Sequence, residues 1–300
     1  MNRGLLYAIG AYGFWGLIPV FWKLLDGVPA IEILGHRMVW SLLFVGMLLA
    51  FRQQWQWLRP ALTDLPTLLT TLVGALLIAF NWYLYIWAVN AGYIIETSLG
   101  YFINPLVSVV LGVVVFRERL RLGQWLAVGL ALLGVVYLTI TYGSLPWIAL
   151  SLAVSFATYG VIKKTMRLGA LEGLSLETAL LFLPALAFLI YRDASGVGTF
   201  GRGDLSLTLL LTLTGLITAG PLLLFAAAAR RIPFSSLGIL QYIAPTCQFL
   251  LGVFVYAEPF SSGRLVGFSL IWLALLIYSI EGFVERRRPP LRPILGPVEL

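Results

Sequence analysis

Hydrophobic residues run in long stretches broken by short polar turns, and ten of these stretches approach the roughly 20 residues that cross a bilayer as a helix. They cover 4–25, 33–51, 66–89, 94–116, 122–141, 146–163, 174–191, 206–228, 235–256 and 264–283. The first stretch is too long for the apolar region of a secretion signal, and no small-residue cleavage site precedes Asp26-Gly27-Val28-Pro29. It is expected to be the first span.

The stretches are organised as a repeat. Pro105, Gly112, Glu118 and Gly123 recur as Pro245, Gly252, Glu258 and Gly263, spaced P-x6-G-x5-E-x4-G both times and offset by 140 residues. Between residues 88–123 and 228–263, 9 of 36 positions are identical. A chain that repeats at half its length is expected to be duplicated, with one half over 1–142 and the other over 143–285. The offset carries the motif from the fourth segment to the ninth, five crossings later, so the halves enter the membrane in opposite senses. The expected fold class is therefore an all-α integral membrane protein: ten transmembrane helices as two inverted five-helix repeats around a central cavity.

Composition agrees with the membrane. Hydrophobic residues make up 60% of the chain and charged residues 11%, against about 25% charged in a soluble domain. Cys247 and His36 are each the only residue of their type. No disulfide framework is then available, nor any H-E-x-x-H zinc motif. No metal, cofactor or catalytic residue is expected. The net charge of +7 could suggest a nucleic-acid partner, but its placement argues otherwise. With a cytoplasmic N-terminus, 15 of the 20 Lys and Arg residues fall inside, among them Arg117, Arg119, Arg121, Lys163, Lys164, Arg230 and Arg231. This is the positive-inside pattern for both termini in the cytoplasm. The lipid bilayer and a small-molecule substrate are the expected partners, and no feature of the sequence specifies an oligomeric state. Residues 286–300 read as a basic anchor followed by a disordered cytoplasmic tail.

Gly196-Val197-Gly198-Thr199-Phe200-Gly201 fits G-x-G-x-x-G. A nucleotide site needs a strand before it and a helix after it. Here the motif lies between the seventh and eighth segments and is expected to be a flexible outer loop. No Walker motif is present, so no ATP-driven step is expected within the chain.

The blocks that close the fourth and ninth segments resemble the EamA repeats of the drug/metabolite transporter superfamily. Trp15-Gly16, His36-Arg37 with Trp40-Ser41, Tyr101-Phe102-Ile103-Asn104-Pro105 and Leu176-Glu177-Thr178-Ala179-Leu180 resemble, more narrowly, its RarD branch of chloramphenicol-sensitivity proteins. The resemblance covers residues 1–285. It implies ten helices, a central cavity, transport of small organic solutes and residence in a bacterial inner membrane. The halves also differ, since Arg230-Arg231-Ile232-Pro233 replaces Asn90-Ala91-Gly92-Tyr93. A site shared by the halves need not be symmetric.

Positions four apart share a helix face. In the fourth segment Glu96, Gly100, Asn104, Ser108 and Gly112 form such a stripe, expected to face other helices. Gly100, Ser108 and Gly112 read as packing, while Asn104 reads equally as packing or as a substrate contact. A proline frees the carbonyl four residues earlier. Pro105 frees Tyr101 and Pro245 frees Gln241, which makes both turns candidate hinges. The third segment places Gly74, Asn81 and Tyr85 on one face, with Trp82 and Tyr83 beside them. The expected cavity lies between segments 1, 3, 4, 6, 8 and 9, and its expected wall is Tyr12, Trp15, Asn81, Tyr83, Tyr101, Asn104, Tyr159, Gln241 and Tyr242. Such a wall suits amphipathic or aromatic metabolites and drugs.

Charges within a bilayer are expensive and usually pair or function. Lys23 and Glu281 are expected to snorkel from helix ends. His36, Glu96 and Glu177 are candidates for proton coupling, His36 because imidazole titrates near about 6.5. A structural His36 donating to a carbonyl fits equally. Glu177 begins the seventh segment, where a carboxylate suits the helix N-terminus, and its repeat counterpart is Glu32. Gly112, Glu118, Gly123, Gly252, Glu258 and Gly263 read as structural, the glutamates tying the next helix N-terminus. The function expected is secondary transport of small organic solutes by alternating access. The alternative is a membrane-embedded enzyme acting on a lipid or isoprenoid, which would be expected to show D-D-x-x-D acids or a histidine-rich site.

Overall fold

The computed structural model describes residues 3–25, 27–53, 55–91, 93–142, 146–202, 204–255 and 262–287. Among them every regular element is helical. The helices are α1 (Arg3–Lys23), α2 (Ala30–Arg52), α3 (Leu58–Thr63), α4 (Leu65–Asn90), α5 (Ile94–Val114), α6 (Leu122–Tyr142), α7 (Trp147–Thr165), α8 (Ala170–Ala194), α9 (Leu205–Ala229), α10 (Phe234–Leu240), α11 (Ile243–Leu250) and α12 (Ser262–Arg287). Six of them, α1, α2, α4, α6, α8 and α9, hold stretches long and apolar enough to cross a membrane. Their outward faces stay apolar: Leu17 is 57% exposed, Ile140 73% and Leu183 71%. Water penalises that surface, whereas a bilayer does not.

Two interior clusters organise the bundle. One gathers Tyr12, Tyr159, Phe225, Phe234 and Leu237. The other gathers Phe102, Val109, Val135, Ile239, Tyr242 and Ile271. The principal neighbours are α5 with α7 and α10, α2 with α8 and α9, α1 with α9 and α11, α4 with α7 and α8, and α6 with α12.

Small residues set the closest approaches. A methyl group on Gly238 of α10 would lie 2.8 Å from the Pro105 carbonyl oxygen, and one on Gly16 of α1 would lie 2.5 Å from Cys247 Cβ. Bare backbone is what lets these helices touch.

Several elements differ from the sequence expectation. The short α3 precedes α4 and is not visible as a hydrophobic run. The ninth segment is three pieces, not one: α10, then α11, then a π-helical turn over Leu251–Val255 that contains Gly252. The break falls at Gln241–Tyr242, four residues before Pro245, where the missing proline N–H releases the Gln241 carbonyl. That carbonyl is taken by the Ala244 N–H at 3.2 Å. By contrast α5 runs through Pro105 without interruption. Helix α8 begins at Ala170, which puts Glu177 two turns inside the helix and removes the helix-terminus account of it.

The repeated motif has a structural use in its first copy. Past α5 the backbone turns through Arg117 at φ 52°, and the Glu118 N–H returns to the Gly112 carbonyl at 3.1 Å. The Glu118 side chain then caps α10: Oε1 accepts from the Phe234 N–H at 2.6 Å, and Oε2 from the Ser235 N–H at 2.9 Å and hydroxyl at 2.7 Å. Glu118 does tie a helix N-terminus, but of a helix in the other half and not the next one in the chain. Gly112 makes room for it, since a methyl group there would sit 2.8 Å from the Ser235 nitrogen. Gly123 faces Glu281 of α12, which pairs with Arg121 at 2.8 Å instead of snorkelling alone. Gly263 opens α12, while Glu258 and the 288–300 tail lie outside the described residues.

The glycine-rich loop is tethered, which corrects the expectation of flexibility. Glu32 Oε1 accepts from the Thr199 N–H at 2.7 Å and hydroxyl at 2.9 Å, and its Oε2 from Arg192 at 2.8 Å. Phe200 stacks on His36 with centroids 5.0 Å apart. Gly196 and Gly201 take φ of 76° and 72°, which side-chain-bearing residues rarely adopt.

Candidate substrate cavity

A single face of α1 carries Tyr12, Trp15, Pro19 and Trp22 at helical spacing, and that face borders a cavity of about 180 Å³ in the bundle interior. Asn81, Trp82 and Tyr85 of α4 supply the next wall, and Gly100, Tyr101 and Asn104 of α5 another. Leu152 and Phe156 of α7, Thr218 and Leu222 of α9, and Gln241, Pro245 and Gln248 of the broken α10–α11 complete it. Arg37 reaches in from α2.

The proline positions explain much of the local chemistry. Pro19 cannot donate to the Trp15 carbonyl. Gln248 Nε2 takes its place at 3.2 Å and so ties α11 to α1 beside the cavity. Asn81 is similarly committed: its Nδ2 donates to the Leu152 carbonyl at 2.9 Å and to Ser155 Oγ at 2.8 Å, joining α4 to α7. Asn104 differs. It is 5% exposed and its Oδ1 has no hydrogen-bond partner among the described residues. The Tyr12 hydroxyl is likewise buried without a partner there. Both residues border the cavity.

Aromatic rings dominate the remaining surface. Trp15 meets Phe156 edge-on at 5.7 Å, and Tyr85 meets Tyr101 edge-on at 5.9 Å. Phe156, Tyr159 and Phe225 extend the cluster below, with Phe156 and Phe225 centroids 5.3 Å apart.

Of the residues expected in the wall, the structure brings Tyr12, Trp15, Asn81, Tyr101, Asn104 and Gln241 together, with Pro245. Tyr83 does not join them. It is 56% exposed on the opposite side of α4, and the residue in the wall is Tyr85, four positions after Asn81 as helical spacing requires. Tyr242 is fully buried and donates its hydroxyl to the Phe102 carbonyl at 3.0 Å, outside the cavity. Pro105 faces Gly238 instead.

Tyr159 and Glu177 border a second, smaller cavity of about 20 Å³ that shares Arg37, Trp82, Thr218 and Leu222 with the first. There Lys163 Nζ lies 2.7 Å from Glu177 Oε2, and the Tyr159 hydroxyl donates to the same oxygen at 3.1 Å. Gly74 of α4 leaves room for Glu177 Oε1, which a methyl group would approach to 2.9 Å. His36 lines neither cavity, and its ring nitrogens have no partner among the described residues, so the expected carbonyl acceptor is absent there. The Glu96 side chain lies outside the described residues.

Sequence reasoning missed the weight of Arg37, Trp82 and Thr218. Arg37 was visible as a charge inside a hydrophobic run. Nothing in local spacing showed that it would meet Trp82 of α4 and Thr218 of α9.

Residues 2–140 match the EamA-like transporter family, so the class that this fold and cavity define is a membrane transporter. The chain is 52% identical over 287 residues to "Protein RarD" of Streptomyces exfoliatus, covering 96% of this chain and 91% of that one. It is 45% identical to "Uncharacterized transporter YojE" of Bacillus subtilis (strain 168), covering 93% and 94% of the two chains. With "Chloramphenicol-sensitive protein RarD" of Pseudomonas aeruginosa it shares 33% identity over 92% and 93%. The chain belongs to the RarD branch of the EamA-like transporter family. A crystal structure at 20% identity superposes with a TM-score of 0.72 over 95% of this chain and 99% of that one, so the two share a fold.

Proposed function

We propose that the chain is a secondary transporter carrying small organic solutes across a bacterial inner membrane by alternating access. In this reading ten transmembrane helices form two inverted repeats, 1–142 and 143–285, with both termini cytoplasmic. The observation that carries the reading is where the cavity lies. Its walls come from α1, α4 and α5 of one half and from α7, α9 and α10–α11 of the other. Those sets are counterparts under the repeat.

The helix neighbours support the same exchange. The contact of α5 with α7 corresponds to that of α11 with α1, α4 with α7 to α9 with α1, and α2 with α9 to α8 with α4. Halves related in this way around a solute site can exchange conformations and open it to each side in turn. In this reading the softer hinge lies in the second half, which is supported by the break at Gln241–Tyr242 and by an α5 unbroken at Pro105. Among the candidate proton carriers, Glu177 is the one whose neighbours, Arg37, Tyr159 and Lys163, connect it to the cavity.

Purified protein in liposomes tests the reading. Preloaded vesicles are expected to exchange members of a panel of single-ring acids, amides and amines, with chloramphenicol included for the name of one relative. If no solute crosses while a vesicle lipid is chemically modified, the transporter reading fails. Exchange that ignores an imposed proton gradient removes the coupling role of Glu177 and leaves the rest intact.

A further inference from the structure

Among the described residues, no carboxylate balances the charge of Arg37. Its guanidinium lies 4.4 Å from the Trp82 ring centroid and 5.1 Å from that of Trp22. Its Nε donates to Thr218 Oγ1 at 2.9 Å. These contacts pin the side chain at the cavity wall and use one of its five N–H donors. Among the described residues no carboxylate reaches it and its Nη groups have no hydrogen-bond partner. Of the described acids nearby, Glu32 is held by Arg192 and Thr199, and Glu177 is held through Oε2 by Lys163 and Tyr159, while its Oε1 has no hydrogen-bond partner there.

A cation without a counter-charge inside a membrane is unfavourable, and pairing with an anion relieves that cost. The planar guanidinium presents parallel N–H donors that match a carboxylate or sulfonate in a two-point contact. Two indoles already hold it in place, so little side-chain freedom remains to be lost on binding. Around it the wall is ring surface, with Tyr85, Tyr101 and Phe156 facing the same space. Volume sets the scale. The cavity measures about 180 Å³, and a cavity of about 150 Å³ takes up benzene. One ring with one small acidic substituent fits.

From this geometry we infer that the cavity binds a single-ring aromatic anion, its carboxylate or sulfonate on Arg37 and its ring among Trp22, Trp82, Tyr85 and Tyr101. The inference names the solute class for the transport reading and rests on it. An amide of the same shape lacks the charge, and a ring amine places a second cation beside Arg37, so both bind more weakly. Larger polycyclic solutes do not fit this conformation.

The test is binding to the purified full-length protein in detergent, read by quenching of tryptophan fluorescence and checked by calorimetry. The probes are benzoate, benzenesulfonate, benzamide, benzylamine and chloride. Benzoate and benzenesulfonate are expected to saturate one site, with benzamide and benzylamine at least about tenfold weaker. Arg37→Gln is expected to weaken both anions by about thirtyfold or more while changing benzamide binding little. Arg37→Lys keeps the charge without the planar fork and is expected to fall between, which also guards against a variant that simply fails to fold. Benzamide binding as tightly as benzoate, no binding of either anion, an unchanged anion preference in Arg37→Gln, or chloride competing on equal terms with benzenesulfonate would each overturn the inference.

Liposome exchange separates this failure from that of the transport reading. If the anions bind through Arg37 but no solute exchanges, the site stands and the transporter reading falls. If neutral solutes exchange and the anions do not bind, transport stands and the anion site falls.

Discussion

Arg37 and Lys163 are both cations inside the helix bundle, and the fold treats them in opposite ways. Lys163, on α7, is 2% exposed and sits 2.7 Å from Glu177 Oε2, a carboxylate also held by Tyr159. Arg37, on α2, has two indoles and a threonine hydroxyl but no carboxylate among the described residues. A second difference lies in what each one borders. Lys163 is walled in by protein, whereas Arg37 opens onto the 180 Å³ cavity. The Lys163–Glu177 pair balances its charge within the fold, although Glu177 Oε1 keeps no hydrogen-bond partner among the described residues and borders the smaller cavity. An open cation leaves that balance to a solute, which is what a binding site requires and a scaffold does not.

The contrast can be broken from its closed side first. Lys163→Met strands the Glu177 carboxylate and is expected to destabilise the protein by about 3–5 kcal/mol, read as thermal unfolding in detergent. Adding Glu177→Leu removes the stranded charge and is expected to recover most of that loss. If Lys163→Met alone is silent, the pair is not the closed element described here. Glu118 is a second closed carboxylate. Glu118→Ala removes three bonds to the α10 N-terminus and is expected to cost about 2–3 kcal/mol, with the largest rise in amide exchange over Phe234–Leu237.

On the open side, Arg37→Met gives up the contacts to Trp22 and Trp82 but also an unbalanced charge. Its stability is expected to stay within about 1 kcal/mol of the parent. A loss as large as that of Lys163→Met would show that Arg37 has a counter-ion after all. The smallest effect belongs to Tyr83, the aromatic on the wrong side of α4. Tyr83→Leu is expected to change stability by no more than about 0.5 kcal/mol and to leave solute exchange untouched, whereas Tyr85→Leu reduces exchange.

These two sites also mark what was legible in the sequence. The long helices follow from hydrophobic length, and the stripe Gly100, Asn104, Ser108 and Gly112 does face other helices, with Asn104 at the cavity. What local pattern cannot show is the partner across the bundle. Glu177 reads as a helix-start carboxylate until α8 is seen to begin at Ala170 and Lys163 to face it from α7. Glu118 reads as a cap for the next helix, and its target is 116 residues away. Thr199 and Phe200 read as loose loop, because nothing nearby in sequence announces that Glu32 and His36 will hold them. Tyr83 is a different kind of miss: helical spacing from Asn81 already favoured Tyr85. The prolines teach a related lesson. Pro105 and Pro245 occupy equivalent places in the repeat, yet only the second sits beside a broken helix.

Solute exchange by the variant Ala244→Phe shows whether solutes pass through this cavity, because Ala244 is buried beside the Gln241–Tyr242 break and lines the cavity. A phenyl ring there fills the space a solute would use without adding or removing a charge. In liposomes, with unfolding temperature as the control for fold, exchange is expected to fall to background while the protein stays folded. Exchange at the parent rate by a folded Ala244→Phe protein would contradict the account, since the solute would then have to travel by a route that avoids this cavity.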